Sequence, residues 1–393
     1  MTTVAAPPYH PLPEDLINAC GARARGYDEE NQFFDEDFAA LRAAGYLNIA
    51  VPEEFGGGGR SLAQYARELQ RLAERAPATG LALNMHVYWT GVAADLRRMG
   101  DSSLEWMLRE SMAGEVFAAG HGEAGNDLPL FLSTASAERV DGGYRITGHK
   151  MFGSLTPVWT RLGIHAMDTS NPAAPQIVHG FIARDAPGYS IKPTWDTLGM
   201  RATRSDDTVL DGAFIPDSRV IRVVPAGTAD AFILTVFAWA LSGFGSVYLG
   251  IARRALALAV ETAHRRKSLA VSRSMAYHPE VQHAIAEAAM TVEAIQAQLD
   301  RTVDDWSSGV DHGMLWPMKL VATKHNVTEG AKRVVDLAMT VSGGTGMFKG
   351  NELERLYRDV RCGGFHPTNA LLSHEIVGKS ALGIDLGESP RWG

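Results

Sequence analysis

The sequence has little cysteine, no excess of positive charge and none of the short motifs that mark a protein-only catalyst. Two cysteines, Cys20 and Cys362, stand in 393 residues. They cannot make a disulfide framework, and without a Cys-x-x-Cys pair they cannot make a zinc knuckle. That usage fits a reducing, cytoplasmic compartment. Lys and Arg number 37 against 45 Asp and Glu, a net charge of −8. The longest basic run, Arg265 to Lys267, is too short for a nucleic-acid surface, so no nucleic-acid partner is expected. No G-x-G-x-x-G follows a strand-like run, and neither His-Glu-x-x-His nor Gly-x-Ser-x-Gly occurs. Gly143 to Lys150 lacks the Gly-Lys-Ser/Thr ending of a phosphate loop. The 13 histidines are scattered without ligand spacing, so no metal site is expected. A catalyst of this composition relies on a bound organic cofactor.

The N-terminus lacks a basic stretch and a long apolar run, which predicts no secretory leader. Pro7, Pro8, Pro11 and Pro13 predict an extended lead. Residues 231–252 carry no charge after Asp230 and before Arg253, long enough to cross a membrane. Ser242, Ser246 and Gly250 recur every fourth residue there, a small-residue face suited to close helix packing. We therefore read it as a buried helix, with no membrane partner.

What is present falls into three zones, and the fold class they predict is mainly α with a middle β-domain. The first, residues 1–115, is helical. Ser61-x-x-Gln64 is a capping box, and Leu62, Tyr65, Leu69 and Leu72 follow on one helix face. The second, 116–228, is strand-like. Asp141-Gly142-Gly143 is a hairpin turn between 135–140 and 144–147, and 177–182 and 208–215 are further strands, which suggests a small barrel or sandwich. The third, 229–393, is helical. Val281, Ile285, Ala288, Val292, Ile295, Leu299, Val303 and Trp306 step by threes and fours. Leu320, Val327, Ala331, Val334, Ala338 and Val341 follow, and Gly343-Gly344 stops the run. Long helices of this kind predict a four-helix bundle.

Several strings now converge. They are Val51 to Gly57 (VPEEFGG), Gly148 to Ser154 (GHKMFGS), Leu198 to Ser205 (LGMRATRS), Ile215-Pro216, Gly250 to Arg253, Pro279 to Gln282 and Arg355 to Asp359. In this order the chain resembles the acyl-CoA dehydrogenase flavoprotein superfamily along nearly its whole length. The resemblance implies an N-terminal helical domain, a β-barrel and a C-terminal four-helix bundle, a bound FAD (FMN as the alternative) and a homotetramer or homodimer. Phe117, Ala119 and Gly120 fall on the strand whose backbone meets the flavin's pyrimidine edge. Phe152 falls where an aromatic lies against the flavin ring, and Ser154 where a hydroxyl bonds near N5. Arg266 matches an arginine for the cofactor's diphosphate. Gln282, Gly343 and Gly344 match positions near the diphosphate in a neighbouring subunit.

Two departures bear on function. The dehydrogenase reaction needs a Glu general base. By spacing from Arg358-Asp359 its usual position is Pro367, and the alternative position on the helix before Gly250 falls at Trp239, Ala240 and Leu241. None can take a proton. No substrate-anchoring arginine lies between Asp230 and Arg253. His366 stands beside the lost base instead. Gly364 to Asn369 (GFHPTN) resembles the two-component, reduced-flavin-dependent monooxygenase branch of the superfamily. There, a His at this place and a Ser at the Ser154 place flank the flavin, and we take His366 and Ser154 as the catalytic pair. The resemblance implies reduced flavin supplied by a separate reductase, O2 as co-substrate, and a C4a-hydroperoxyflavin that hydroxylates an aromatic, indole-like or amine small molecule. The alternatives are an acyl-CoA dehydrogenase with a displaced base and a non-catalytic flavin-binding paralogue. His86, Asn126, Phe237, Trp239 and Leu241 are the expected substrate pocket. His121 stands where many dehydrogenases have an acid.

Overall fold

The computed structural model describes residues 11–270, 272–386 and 388, so Pro7 and Pro8 lie outside the described residues. Five helices come first: α1 (Glu14–Glu29), α2 (Asp35–Ala43), α3 (Leu62–Ala73), α4 (Pro77–Arg98) and α5 (Glu105–Met112). Ser61 caps α3 as its sequence predicts. Its side chain accepts from the Gln64 N–H, and the Gln64 side chain accepts from the Ser61 N–H. The apolar face this cap launches, Leu62, Tyr65, Leu69 and Leu72, is fully buried.

Eight strands follow: β1 (Phe117–Gly120), β2 (Ser136–Val140), β3 (Gly143–Lys150), β4 (Arg161–Asp168), β5 (Gln176–Ala183), β6 (Tyr189–Lys192), β7 (Asp207–Pro216) and β8 (Val220–Pro225). They form one sheet in the order β6-β7-β3-β2-β4-β5-β8, with β1 added in parallel to β4. Gly142, at φ +73°, makes the β2–β3 turn. The sheet curls until Ile215 of β7 packs on Gly180 of β5, while β6 and β8 remain open edges.

The last zone contains α6 (Ala231–Arg265), α7 (Pro279–Ser307), α8 (Trp316–Ser342), α9 (Glu352–Arg361) and α10 (Ala370–Leu382). The apolar positions of α7 and α8 line the shared core; only Ile285 among them is partly exposed. Gly343, at φ +61°, ends α8. The apolar part of α6 is 94 % buried inside the protein, so the uncharged stretch is a core helix here. Its small residues admit close neighbours. A Cβ on Gly243 would lie 2.1 Å from Asn84 Oδ1, and one on Gly250 would lie 2.8 Å from the Ala73 Cβ. In the other direction Trp239 of α6 presses on Gly91 of α4, where a Cβ would lie 2.3 Å from the indole.

Candidate functional site

β1 pairs only with β4, so its other edge offers backbone groups to whatever lies beside it. His86 secures the strand from α4. Its Nδ1 accepts the Phe117 N–H at 3.0 Å, and its Nε2 lies 3.0 Å from the Leu47 carbonyl. A carbonyl only accepts, so Nε2 carries the hydrogen and Nδ1 the lone pair. Burial holds this imidazole down to about 4, which keeps the ring neutral and the arrangement fixed. His86 is fully buried with both nitrogens spent, which corrects its assignment to a substrate pocket: it positions β1. Trp89 Nε1 donates to the Ala118 carbonyl at 3.1 Å from the same helix. The Phe117 ring turns inward onto Phe181 and its N–H is already bonded to His86.

Phe152 and Ser154 lie where β3 runs out. Phe152 holds φ +62°, a conformation L-residues rarely adopt, and its ring is 57 % exposed with its edge to Trp195. Gly122 makes room for it, since a Cβ there would lie 2.8 Å from Phe152 Cδ2. Ser154 is buried at the head of a hydroxyl chain. Its Oγ is 2.7 Å from Ser205 Oγ, which is 2.7 Å from Thr203 Oγ1, which donates to the Met200 carbonyl at 2.8 Å. Each hydroxyl has one hydrogen. Thr203 spends its own on Met200, so Ser205 must donate to Thr203 and Ser154 to Ser205. Ser154 is left with lone pairs only. A strand edge with no second strand beside it, an exposed aromatic residue and an oriented hydroxyl fit a planar, hydrogen-bonding ring system such as a flavin.

His366 follows α9 in the loop 362–369. Its ring stacks on Phe244 of α6 with centroids 4.6 Å apart and planes 7° apart, and its Nε2 lies 2.8 Å from the Tyr248 hydroxyl. Burial, then the nearby Lys324 ammonium, hold the imidazole down to about 3, so it is neutral at pH 7. Lys324, buried in α8, donates to three carbonyls of this loop: Gly363 and His366 at 2.9 Å and Thr368 at 3.0 Å. Burial and the Lys332 charge lower its amine to about 7, against a smaller opposing effect of Glu329.

The remaining pocket residues are more structural than expected. Asn126 spends its amide on Glu123 Oε2, the Leu132 carbonyl and the Leu128 N–H, and so shapes the loop after β1. Trp239 is a core pin. Its ring stacks on Tyr65, and its Nε1 shares Asp95 Oδ2 with Trp306 Nε1, each at 2.8 Å. Phe237 is buried edge-on against Phe131, and Leu241 is buried beside them in sequence. These placements put Trp239 and Leu241 in the helix core rather than at a pocket roof.

Arg266, read from sequence apart from the two glycines, joins them. Its Nη1 donates to the Val341 carbonyl at 3.1 Å, and a Cβ on Gly343 would lie 2.9 Å from that nitrogen. A Cβ on Gly344 would meet nothing within 4 Å. Gln282 is exposed, with its amide on the Ala276 carbonyl at 3.0 Å. Arg266 and Gly343 therefore sit against each other, with Gly344 next in sequence.

Sequence reasoning missed two things. One is the buried pair Glu123–Lys150, at 2.5 Å, with His165 and His179 around it. The other is Lys324. A lysine inside a helical pattern reads as a solvated charge, and only tertiary contacts reveal otherwise. A separate groove of about 590 Å³ between α1 and α9 contains none of the predicted site residues. Its charges are largely paired with each other, Arg358 with Asp28 and Glu354, and Arg25 with Glu29.

Comparisons with known proteins agree with this geometry. Residues 17–103 match the acyl-CoA dehydrogenase N-terminal domain and residues 242–370 its C-terminal domain. The amino sugar nitrososynthase DnmZ of Streptomyces peucetius is 31 % identical over 388 residues, covering 95 % of this chain and 92 % of that protein. The putative acyl-CoA dehydrogenase YdbM of Bacillus subtilis is 28 % identical over 347 residues, covering 86 % and 87 %. Among solved structures, KijD3 in complex with FMN and dTDP-3-amino-2,3,6-trideoxy-4-keto-3-methyl-D-glucose superposes with a TM-score of 0.84 at 26 % identity, over 94 % of this chain and 92 % of that one. Domain order, local strings, site geometry and a full-length relative above 30 % identity lead to one conclusion: the chain belongs to the acyl-CoA dehydrogenase superfamily.

Proposed function

We propose that this protein is a flavin-dependent monooxygenase. It takes reduced flavin from a separate reductase and places one oxygen atom of O2 on the nitrogen of a small-molecule amine. The observation that carries the reading is the direction of the hydroxyl chain. Ser154 can only accept a hydrogen bond, and near N5 the donor it suits is the N–H of a reduced flavin, not the bare nitrogen of an oxidised one. The edge of β1 and the Phe152 ring would hold the cofactor, with Arg266, Gly343 and Gly344 near the phosphates of a neighbouring subunit's cofactor. When bound, the flavin supplies two electrons to O2. Overall, reduced flavin, O2 and R–NH2 give oxidised flavin, water and R–NHOH.

The chain's own groups suit this chemistry better than α-proton removal. Neutral His366, held by Tyr248 and Phe244, brings no charge of its own at pH 7 and engages Nε2 with the Tyr248 hydroxyl. The nearby carboxylate of Glu123 is committed to Lys150, and that of Asp359 to the Met200 N–H. The relatives named as amino sugar nitrososynthases point to an amine nitrogen as the target. Exposed Met347, Phe348 and Phe365 support a homo-oligomer that covers them.

The test is rapid mixing of the protein and anaerobically reduced FMN, or FAD, with oxygenated buffer. We expect slowed flavin reoxidation with a transient spectrum unlike either end state, and little H2O2. His366→Phe should release most of the reducing equivalents as H2O2. Featureless reoxidation together with bleaching of oxidised flavin by an acyl-CoA would replace this reading with the dehydrogenase.

A further inference from the structure

The histidines His121, His165 and His179 stand in a file inside the β-domain. His121 directly follows Gly120, the last residue of β1. His165 of β4 and His179 of β5 are direct cross-strand partners. Ring centroids are 5.2 Å apart from His121 to His165 and 5.9 Å from His165 to His179. His165 and His179 are buried, whereas His121 is only half-buried and forms the outer end.

The hydrogens in this file can be assigned. His165 Nε2 lies 3.0 Å from the Leu132 carbonyl and 3.8 Å from Glu123 Oε2, both acceptors, so that nitrogen carries the hydrogen. The Leu130 N–H approaches the same nitrogen at 3.4 Å, the longer and weaker contact. His165 Nδ1 is then a lone pair. It lies 3.2 Å from His121 Nδ1, which must therefore hold its own hydrogen. His121 Nε2 is left bare. It is buried and, among the described residues, has no hydrogen-bond partner. Burial first, then His179 and Lys150, keep His121 well below the usual histidine range.

The surroundings disfavour a cation. Lys150 already places an ammonium in this cluster, and Arg222 bears on His179 from β8. The carboxylate of Glu123 accepts from Lys150, Ser133, Asn126 and the N–H groups of Thr134 and Ala135, and Asp101 and Asp230 are paired with Arg222. Trp89 of α4 closes on His121 edge-on and carries no charge. A second ammonium would find no free counter-ion, whereas an uncharged N–H donor would find a waiting lone pair.

We propose that His121 is a specificity-determining residue whose Nε2 accepts a hydrogen bond from the substrate nitrogen, and that the site thereby takes amines in their uncharged form. This rests on the amine-oxygenase reading above and deepens it. Only the uncharged amine has a lone pair to offer an oxygen atom, so the residue that selects it also selects the reactive form.

The probes are benzylamine, a primary amine, and N,N-dimethylbenzylamine, which has no N–H once uncharged. Binding to the full chain is measured calorimetrically from pH 6 to pH 10, without O2. For wild type we expect benzylamine affinity to rise about tenfold per pH unit between pH 6 and pH 8, the range in which Lys150 keeps its proton, as the binding form becomes populated. At each pH the dimethyl analogue should bind about tenfold more weakly, the worth of one hydrogen bond. His121→Phe should erase the difference between the probes, and His121→Gln, whose amide oxygen accepts, should restore part of it. Flavin affinity should be unchanged in both variants. Absent or pH-independent benzylamine binding, equal binding of the two probes by wild type, or an undiminished difference in His121→Phe would overturn the proposal. No oxygen transfer enters this measurement. A protein that binds as described but fails to oxygenate would sink only the preceding functional reading.

Discussion

Replacing Lys324 with methionine should change how stability depends on pH. The wild-type ammonium makes three hydrogen bonds, yet all its partners are neutral carbonyls and its side chain is almost fully buried. Desolvation therefore prevails, and the amine titrates at about 7 in the folded protein. Unfolded, a lysine titrates near ~10.4. Below pH 7 both states hold the proton, and the burial penalty is constant. Above it the folded state has released the proton and the unfolded state has not. Stability from this group then rises with pH by about 1.4 kcal/mol per unit until the unfolded lysine also titrates. Between pH 7 and 9 the gain is about 2–3 kcal/mol. Methionine does not titrate, so the difference between wild type and variant should grow by that amount over the same range. Urea unfolding at pH 6, 7, 8 and 9 measures it, and subtraction of the two curves removes every other titrating group. Parallel curves, within about 0.5 kcal/mol, would refute the claim that burial outweighs the three carbonyls. The variant also strands those carbonyls, so amide exchange in residues 362–368 should quicken while β2 and β3 stay protected.

Two further substitutions probe the scaffold. Asp95→Ala removes the carboxylate oxygen shared by Trp239 and Trp306 and leaves two indole N–H groups without an acceptor. At about 1.5–3 kcal/mol per charge-assisted bond the loss should reach roughly 3–5 kcal/mol, with a shift in tryptophan emission. Asp95→Asn should lose less than half of that, and a loss under about 1 kcal/mol for the alanine variant would show the bonds to be incidental. Gly91→Ala places a methyl 2.3 Å from the Trp239 ring. Overpacking of this kind costs about 1–3 kcal/mol, and an unchanged thermal midpoint would mean the indole has another place to go.

Local features were legible where one segment decides its own structure. The Ser61–Gln64 capping box, the turn at Gly142 and the Gly343 stop each depend on residues a few positions apart. The apolar steps of α7 and α8 likewise read directly as buried faces. Legibility ended where the strand ladder assembles a site. His165 and His179 are cross-strand partners only because β4 and β5 pair in that register, and His121 joins them only because β1 adds in parallel to β4. Nor does local pattern separate a pocket from a core. His86 and Trp239 have the side chains a binding site would use, but backbone groups and Asp95 already hold them. The resemblance to flavoproteins located His366; it could not show that Lys324 fastens the loop carrying it.

The glycine contacts of α6 have a mechanical consequence. With Trp239 seated on Gly91, Asn84 against Gly243 and Ala73 against Gly250, backbone meets side chain at three levels along the helix. Sliding or tilting at any level drives atoms into one another, so α3, α4 and α6 form a single strut. The same strut carries Phe244 and Tyr248, the two residues under His366. A ligand cannot gain access by prying the helical zones apart. Opening α3, α4 and α6 relative to one another would require these contacts to be broken at all three levels.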